Sequence, residues 1–130
     1  MYLLDTNSVI YFFKGMGEVS KNLFSYSPKD IFIPSIVLYE LEVGIAKSNN
    51  SKKRKEQLDL LLEQVQIVDF CEKEAKESAK IRATLEKLGT PIGPMDTLIA
   101  GCAKANNLTL VTNNTKEFKR VNDLIIVDWF

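Results

Sequence analysis

The chain has 130 residues, 45% of them apolar, with 17 basic and 17 acidic side chains, a formal net charge of zero and no histidine. Length and composition describe one domain, residues 1–130, with enough apolar material to bury a core without cross-links. The charge balance argues against a protein that coats nucleic acid through bulk positive charge, and the missing histidine removes Ser-His-Asp triads, imidazole acid–base catalysis and His-ligated zinc.

The chain opens on Tyr2-Leu3-Leu4, an apolar run short enough for one buried strand, which ends abruptly in Asp5-Thr6-Asn7. Residues 2–5 are therefore a strand, and a helix over 7–14 stops near Gly15. A second short helix is expected over 17–26. Pro28 and Asp30 punctuate the chain before a strand at Ile31-Phe32-Ile33. Pro34 and Ser35 open a helix to about Ser48, with proline well placed near its start. Asn49, Asn50 and Ser51 break the chain, and 52–64 return to helical spacing with Leu58, Leu61, Leu62 and Val65 on one side.

Gln66 to Phe70 form another strand, followed by an amphipathic helix over 72–88 that Gly89 ends. Gly93-Pro94 starts a helix reaching Asn106, Leu108 to Thr112 is a strand, Asn114 to Arg120 a short helix, and Ile125 to Val127 a last strand. Strands alternating with helices give an α/β fold, a mainly parallel sheet of four to five strands between two helical layers. No apolar run approaches the roughly 20 residues of a membrane span. Cys71 and Cys102 are too few for a disulfide framework, and each lies in or beside a helix, so both are expected as buried thiols in a reducing cytoplasm.

Four acids stand out, each with two readings. Asp5 follows a strand end, where ligands bind in open α/β sheets, yet Asp5 or Thr6 could simply cap the next helix. Glu40 has Ile36, Val37, Val43 and Gly44 three and four residues away, costly company for an unpaired carboxylate unless it is a rim acid reaching water, and Glu42, with Leu38, Tyr39, Ile45 and Ala46 around it, looks little different. Asp96 sits in the first turn of an apolar helix, where the dipole alone would favour it. Glu117 follows Asn114 by three residues, as in a capping box.

Parallel strands would bring these positions to one edge. Carboxylates at ~4 Å repel by about 4 kcal/mol per pair at an effective dielectric of about 20. They would protonate, separate or gather a cation, and a donor set of hard oxygens suits Mg²⁺ or Mn²⁺.

The segments Leu4-Asp5-Thr6-Asn7, Pro34-Ser35 through Glu40 with Gly44, Gly93-Pro94-Met95-Asp96-Thr97-Leu98-Ile99-Ala100 and Leu110-Val111-Thr112-Asn113-Asn114-Thr115-Lys116-Glu117-Phe118 follow one another in the order and spacing of a known family. In them the chain resembles the PIN-domain nucleases, and most of all the VapC-type ribonuclease toxins of prokaryotic toxin–antitoxin pairs. The resemblance implies a metal-dependent endoribonuclease that cuts phosphodiester bonds in line, leaving 5′-phosphate and 3′-hydroxyl ends, and that acts on a structured RNA such as initiator tRNA.

It implies Asp5, Glu40, Asp96 and Glu117 as the catalytic acids, with Asp5 and Asp96 ligating Mg²⁺ or Mn²⁺ directly. Glu40 and Glu117 would hold waters, Asn7 and Thr112 would orient the acids or water, and Asn114 would either do the same or take the place of Glu117 as fourth contributor, through its amide oxygen or a bound water. It also implies a cognate VapB-type antitoxin, an RNA substrate and a homodimer or heteromeric assembly, with Tyr11, Phe12, Phe13 and helix 34–47 as surfaces. Lys14, Arg82, Lys87, Lys116, Lys119 and Arg120, together with the run Lys52-Lys53-Arg54-Lys55, are the cations available for phosphate. Two other functions fit the residues: a Mg²⁺-dependent nuclease of DNA or of RNA maturation, and a PIN-like binding module whose acids are structural.

Overall fold

The N-terminal apolar run becomes the central strand. In the computed structural model, which describes residues Met1–Phe130, β1 (Tyr2–Leu4) lies between β2 (Ile31–Pro34) and β4 (Thr109–Val111). β3 (Gln66–Val68) adds outside β2 and β5 (Ile126–Val127) outside β4, giving the order β3-β2-β1-β4-β5 with every pair parallel. Leu3 faces Phe32 on one side and Leu110 on the other, and Leu4 faces Val111. Leu3, Leu4, Ile33, Leu110 and Val111 are completely buried. A strand covered on both faces needs an apolar residue at each successive position rather than at alternate ones, which is why these segments are unbroken apolar runs.

Parallel neighbours cannot be joined by a tight turn, so helices carry the connections. They are α1 (Thr6–Lys14), α2 (Val19–Leu23), α3 (Ser35–Ala46), α4 (Ser51–Gln64), α5 (Glu72–Lys87), α6 (Pro94–Ala105) and α7 (Thr115–Phe118). They flank the sheet as the expected three-layer α/β/α fold. The chain builds outward from β1 to β2 and β3, then returns past β1 to β4 and β5. The strand order thus reverses at β1, and the carboxyl ends of all five strands share one edge. Such a reversal is where a crevice opens in sheets of this kind.

Most boundaries fall within two residues of expectation, with instructive exceptions. The helix expected over 17–26 covers only Val19–Leu23. Gly17 takes the left-handed conformation at φ 61°, and the Glu18 N–H is spent on the Phe130 carbonyl at 2.8 Å, so helical geometry cannot begin earlier. At its other end Tyr26 stacks on Trp129 and tilts against Tyr2, which pulls the chain away from the helix axis. A single 3₁₀ turn at Pro28–Asp30 follows. The strand expected to reach Phe70 stops at Val68 because its partner there, Pro34, is the last residue of β2.

Cys102 is fully buried inside α6, and burial pushes its thiol up to about 12. Cys71, expected to be buried too, is exposed. It precedes α5 rather than lying on the packed face of that helix, and its contribution is its backbone N–H, donated to Glu74 Oε1 at 3.0 Å.

Candidate active site

Asp5 leaves the sheet immediately after β1, in an extended conformation that allows it to cap α1. Its Oδ1 accepts the Ser8 N–H at 2.9 Å. The capping alternative is therefore true, but it occupies only one oxygen. Oδ2 accepts the Thr112 hydroxyl at 2.6 Å. Thr112 follows β4 just as Asp5 follows β1, and it is fully buried. Its Oγ1 also accepts the Asn114 N–H at 3.0 Å, so its single proton is left for Asp5 and the donation has a fixed direction. Burial pushes the Asp5 carboxyl above its ordinary range, only partly opposed by the hydrogen bonds from Thr112 and Ser8, and the charge of Glu40 adds to the rise.

Glu40 projects from α3 and is half-buried. Its Oε1 accepts the Thr6 hydroxyl at 2.6 Å, which ties the start of α1 to the middle of α3. Asp96 lies in the first turn of α6, behind Pro94 at the first helical position. Its carboxyl is pushed up to about 6. Burial is the largest cause, followed by a hydrogen bond with Glu117 and then by the negative charges of Glu117, Asp5 and Glu40. One carboxyl thus feels the other three, although the four come from the end of β1 and from α3, α6 and α7.

Asn114 bridges two of them. Its Nδ2 donates to Glu117 Oε2 at 2.9 Å and reaches Asp96 Oδ2 at 3.5 Å. This corrects the capping-box expectation for Asn114 and Glu117. The Asn114 side chain makes no capping hydrogen bond to α7, because both side chains turn toward Asp96 instead. Asn7 is exposed and makes no side-chain hydrogen bond to the acids. The hydroxyl that holds Glu40 belongs to its neighbour Thr6, which sequence reasoning weighed only as a cap. Ser8 was also missed; its hydroxyl donates to the Val111 carbonyl at 3.1 Å and fastens α1 to β4. Hydroxyls packed beside Asp5 were the available signal, but their partners lie 34 and 103 positions away.

No three carboxylates or thiols converge closely enough to grip one ion together. The donor set still fits a hard cation. Mg²⁺ keeps several waters and is commonly bound through one or two carboxylates, which a pair such as Asp5 and Asp96 could supply.

The expected cations divide sharply. Arg82 pairs with Glu86 at 2.8 Å, Arg120 donates to the Pro91 carbonyl, and Lys55 is held between Glu42 and Asp59. Lys87, Lys116 and Lys119 are exposed. Lys14, Lys53 and Arg54 make no ion pair or side-chain hydrogen bond, and Lys14 and Arg54 line the same cavity as Glu40.

The PIN-domain family model matches residues 2–124. The chain is 40% identical to ribonuclease VapC2 of Rickettsia felis, across 99% of this chain and 98% of that one. It is 34% identical to the tRNA(fMet)-specific endonuclease VapC of Salmonella typhimurium, across 98% and 97%. The crystal structure of VapBC2 from Rickettsia felis, bound to a DNA fragment from its promoter, contains a chain that superposes with a TM-score of 0.92 at 40% identity, covering 99% of this chain and 98% of that one.

Proposed function

We propose, from the premise that this chain belongs to the PIN-domain family and within it to the VapC ribonucleases, that it is a divalent-cation-dependent endoribonuclease toxin held in check by a VapB-type antitoxin. The observation that carries this reading is the convergence of four acids at one end of the sheet, where Asn114 bridges Glu117 and Asp96, and where burial and the other acids push the Asp96 carboxyl up to about 6. A site that raises its own carboxyl in this way gains most when a cation neutralises it.

Asp5 and Asp96 would hold Mg²⁺ or Mn²⁺. When bound, the ion would supply Lewis-acid polarisation of a phosphodiester and lower the pKa of a water beside it. The chain's own groups do the positioning. Thr112 aims Asp5, Thr6 aims Glu40, and Asn114 holds Glu117 against Asp96. In this reading Glu40 and Glu117 would hold waters beside the pair and accept a proton from the attacking one. Substrate is RNA in this reading, and the relative from Salmonella typhimurium, named as specific for tRNA(fMet), makes initiator tRNA the first substrate to try.

The antitoxin has a surface to meet. A largely apolar groove of about 420 Å³ runs between α1, α2 and α4, with Phe12, Phe13, Phe24 and Leu60 in its walls. Tyr11, expected in the same surface, packs edge-on against Phe130 instead.

The test mixes purified protein with tRNA, single-stranded RNA and DNA, with Mg²⁺ or with EDTA. The expected result is cutting of RNA alone, only with the cation, and lost in Asp5→Ala and Asp96→Ala. Cutting of DNA alone, or undiminished cutting in EDTA, would overturn the reading. Growth arrest on induction, relieved by coexpressing the cognate antitoxin, is the matching result in cells.

A further inference from the structure

Two cavities on the Glu40 side of the acidic centre adjoin and share part of their walls. The first, about 310 Å³, lies between α1 and α3 and has Glu40, Lys14, Gly44, Ser48 and Arg54 in its walls. The second, about 280 Å³, lies at the start of α4 and is walled by Lys14, Asn50, Lys53, Arg54 and Gln57, with Phe13 its one apolar residue. Phe13, Lys14 and Arg54 belong to both. The result is one trough that begins at a carboxylate of the acidic centre and leaves along three cations.

Those cations have no partner within the chain, and unlike the other unpaired lysines they share the walls of cavities that reach Glu40. Lys55, next in sequence, is pinned by Glu42 at 3.1 Å and Asp59 at 3.4 Å. Arg54 is half-buried, yet its guanidinium has no carboxylate or carbonyl partner. Its stem packs against the chain while its planar fork, left without a partner, suits a phosphate. A molecule of zero net charge that must hold a polyanion beside four acids needs its positive charge concentrated where the strand runs.

We infer that Lys14, Lys53 and Arg54 form a backbone-phosphate track that carries an RNA strand into the acidic centre past Glu40. The inference rests on the ribonuclease reading and deepens it. These three are positioning residues: they bind phosphates next to the scissile one and touch no reacting atom. Their charge serves affinity and register, so its loss should fall on binding rather than on the chemical step. Gly44, with open space where a Cβ would stand, keeps the floor of the trough low.

The experiment compares the wild type with Lys14→Ala/Lys53→Ala/Arg54→Ala. A control, Lys21→Ala/Lys29→Ala/Lys76→Ala, removes the same charge from elsewhere. Cleavage of a fluorescein-labelled single-stranded oligoribonucleotide gives KM and kcat. Fluorescence anisotropy of the same oligonucleotide, with Asp96→Asn in every background, gives Kd as a function of salt. The expected result is a KM and Kd raised about 10- to 100-fold in the trough variant, with kcat within about threefold of wild type. The slope of log Kd against log salt should fall by about 2, near 0.7 per lost contact on a single strand. Lys14→Arg/Lys53→Arg/Arg54→Lys should restore most of the affinity, and the control should stay near wild type.

Unchanged Kd and slope in a trough variant that melts like the wild type would overturn the inference. So would an equal loss in the control, or a fall in kcat without a rise in KM. Poly-glutamate competing as well as RNA of equal charge would also overturn it, since it would mark the trough as a site for an acidic protein segment. A wild type that binds RNA without cutting it would sink the ribonuclease reading while the binding arm still decides the trough. One that neither binds nor cuts would sink both.

Discussion

At the scale of single residues, the centre is a set of carboxylates whose protons and directions are controlled by hydroxyls and one amide. Thr112→Val keeps the shape of the side chain and removes the donor to Asp5. Loss of a partner that orients a ligand typically costs about 10- to 100-fold in activity or metal affinity, and RNA cleavage by this variant should fall in that range without a change in fold. Wild-type cleavage by Thr112→Val would remove that residue from the account.

Asp96 also makes a pH prediction. Its folded pKa of about 6 lies above its ordinary value of 3.8, so the folded, cation-free protein binds the extra proton. The stability this brings is fully present below the ordinary value and is lost as the pH rises through 6. Asp96→Asn should therefore leave stability in EDTA little changed near pH ~4 and raise it at about pH 7.5. The gain should be about 1 kcal/mol, well under the ~3 that a two-unit shift represents, because the carboxyl is only half-buried. Urea titrations of both proteins at the two pH values measure it; a difference independent of pH contradicts it.

The readings that sequence supported at this scale were those carried by local contrast. Asp5 was visible because an apolar run stops at it, and Asp96 because a proline-opened helix starts beside it. The bond from Thr6 to Glu40 spans 34 positions and leaves no periodic trace. Asn114 and Glu117 have the spacing of a capping box, and only the position of Asp96 shows that their side chains turn the other way.

At the scale of elements, the helices are positioned by close approaches as much as by apolar stripes. α5 and α6 make the most extensive helix–helix contact, and Gly101 is where they come nearest. A Cβ there would overlap the buried Ser78 hydroxyl and lie 2.9 Å from the Ser78 Cα, so rotation of a side chain cannot relieve it. Gly101→Ala should cost about 2–3 kcal/mol of stability through overpacking. Gly44→Ala, on α3 with open space around it, should instead gain about 0.5–1 kcal/mol, the ordinary helical advantage of alanine over glycine. Urea midpoints that move in opposite directions support this account of the packing; equal shifts contradict it. Glu74 adds a second lesson. It is buried at 2% exposure, where its carboxylate accepts from the Asn106 amide and the Cys71 N–H; the Asn106 partner, 32 positions away, leaves no trace in the local spacing.

At the scale of the whole molecule, the sheet order follows from the apolar runs, while the closure of the chain on itself does not. The two ends meet where Tyr2, Tyr26 and Trp129 form one aromatic cluster, with Tyr26 and Trp129 stacked at 5.5 Å between ring centroids. Trp129 is 4% exposed, so Trp129→Ala should cost about 3–5 kcal/mol and lower the midpoint of thermal unfolding. Retention of the wild-type midpoint would show that the ends contribute little. That cluster truncated α2, and it was illegible beforehand because its members are separated by almost the full chain.

The larger consequence of the topology is electrostatic. Five parallel strands turn their carboxyl ends to one edge, and acids from four separate stretches meet there because of it. The claim on which everything else rests is that these acids are gathered there to hold a divalent cation. Calorimetric titration of Mn²⁺ into the wild type, Asp5→Asn and Asp96→Asn tests it directly. The account predicts saturable binding by the wild type that weakens at least about 10-fold in each variant. Binding of equal strength in all three, or none in the wild type, would contradict it.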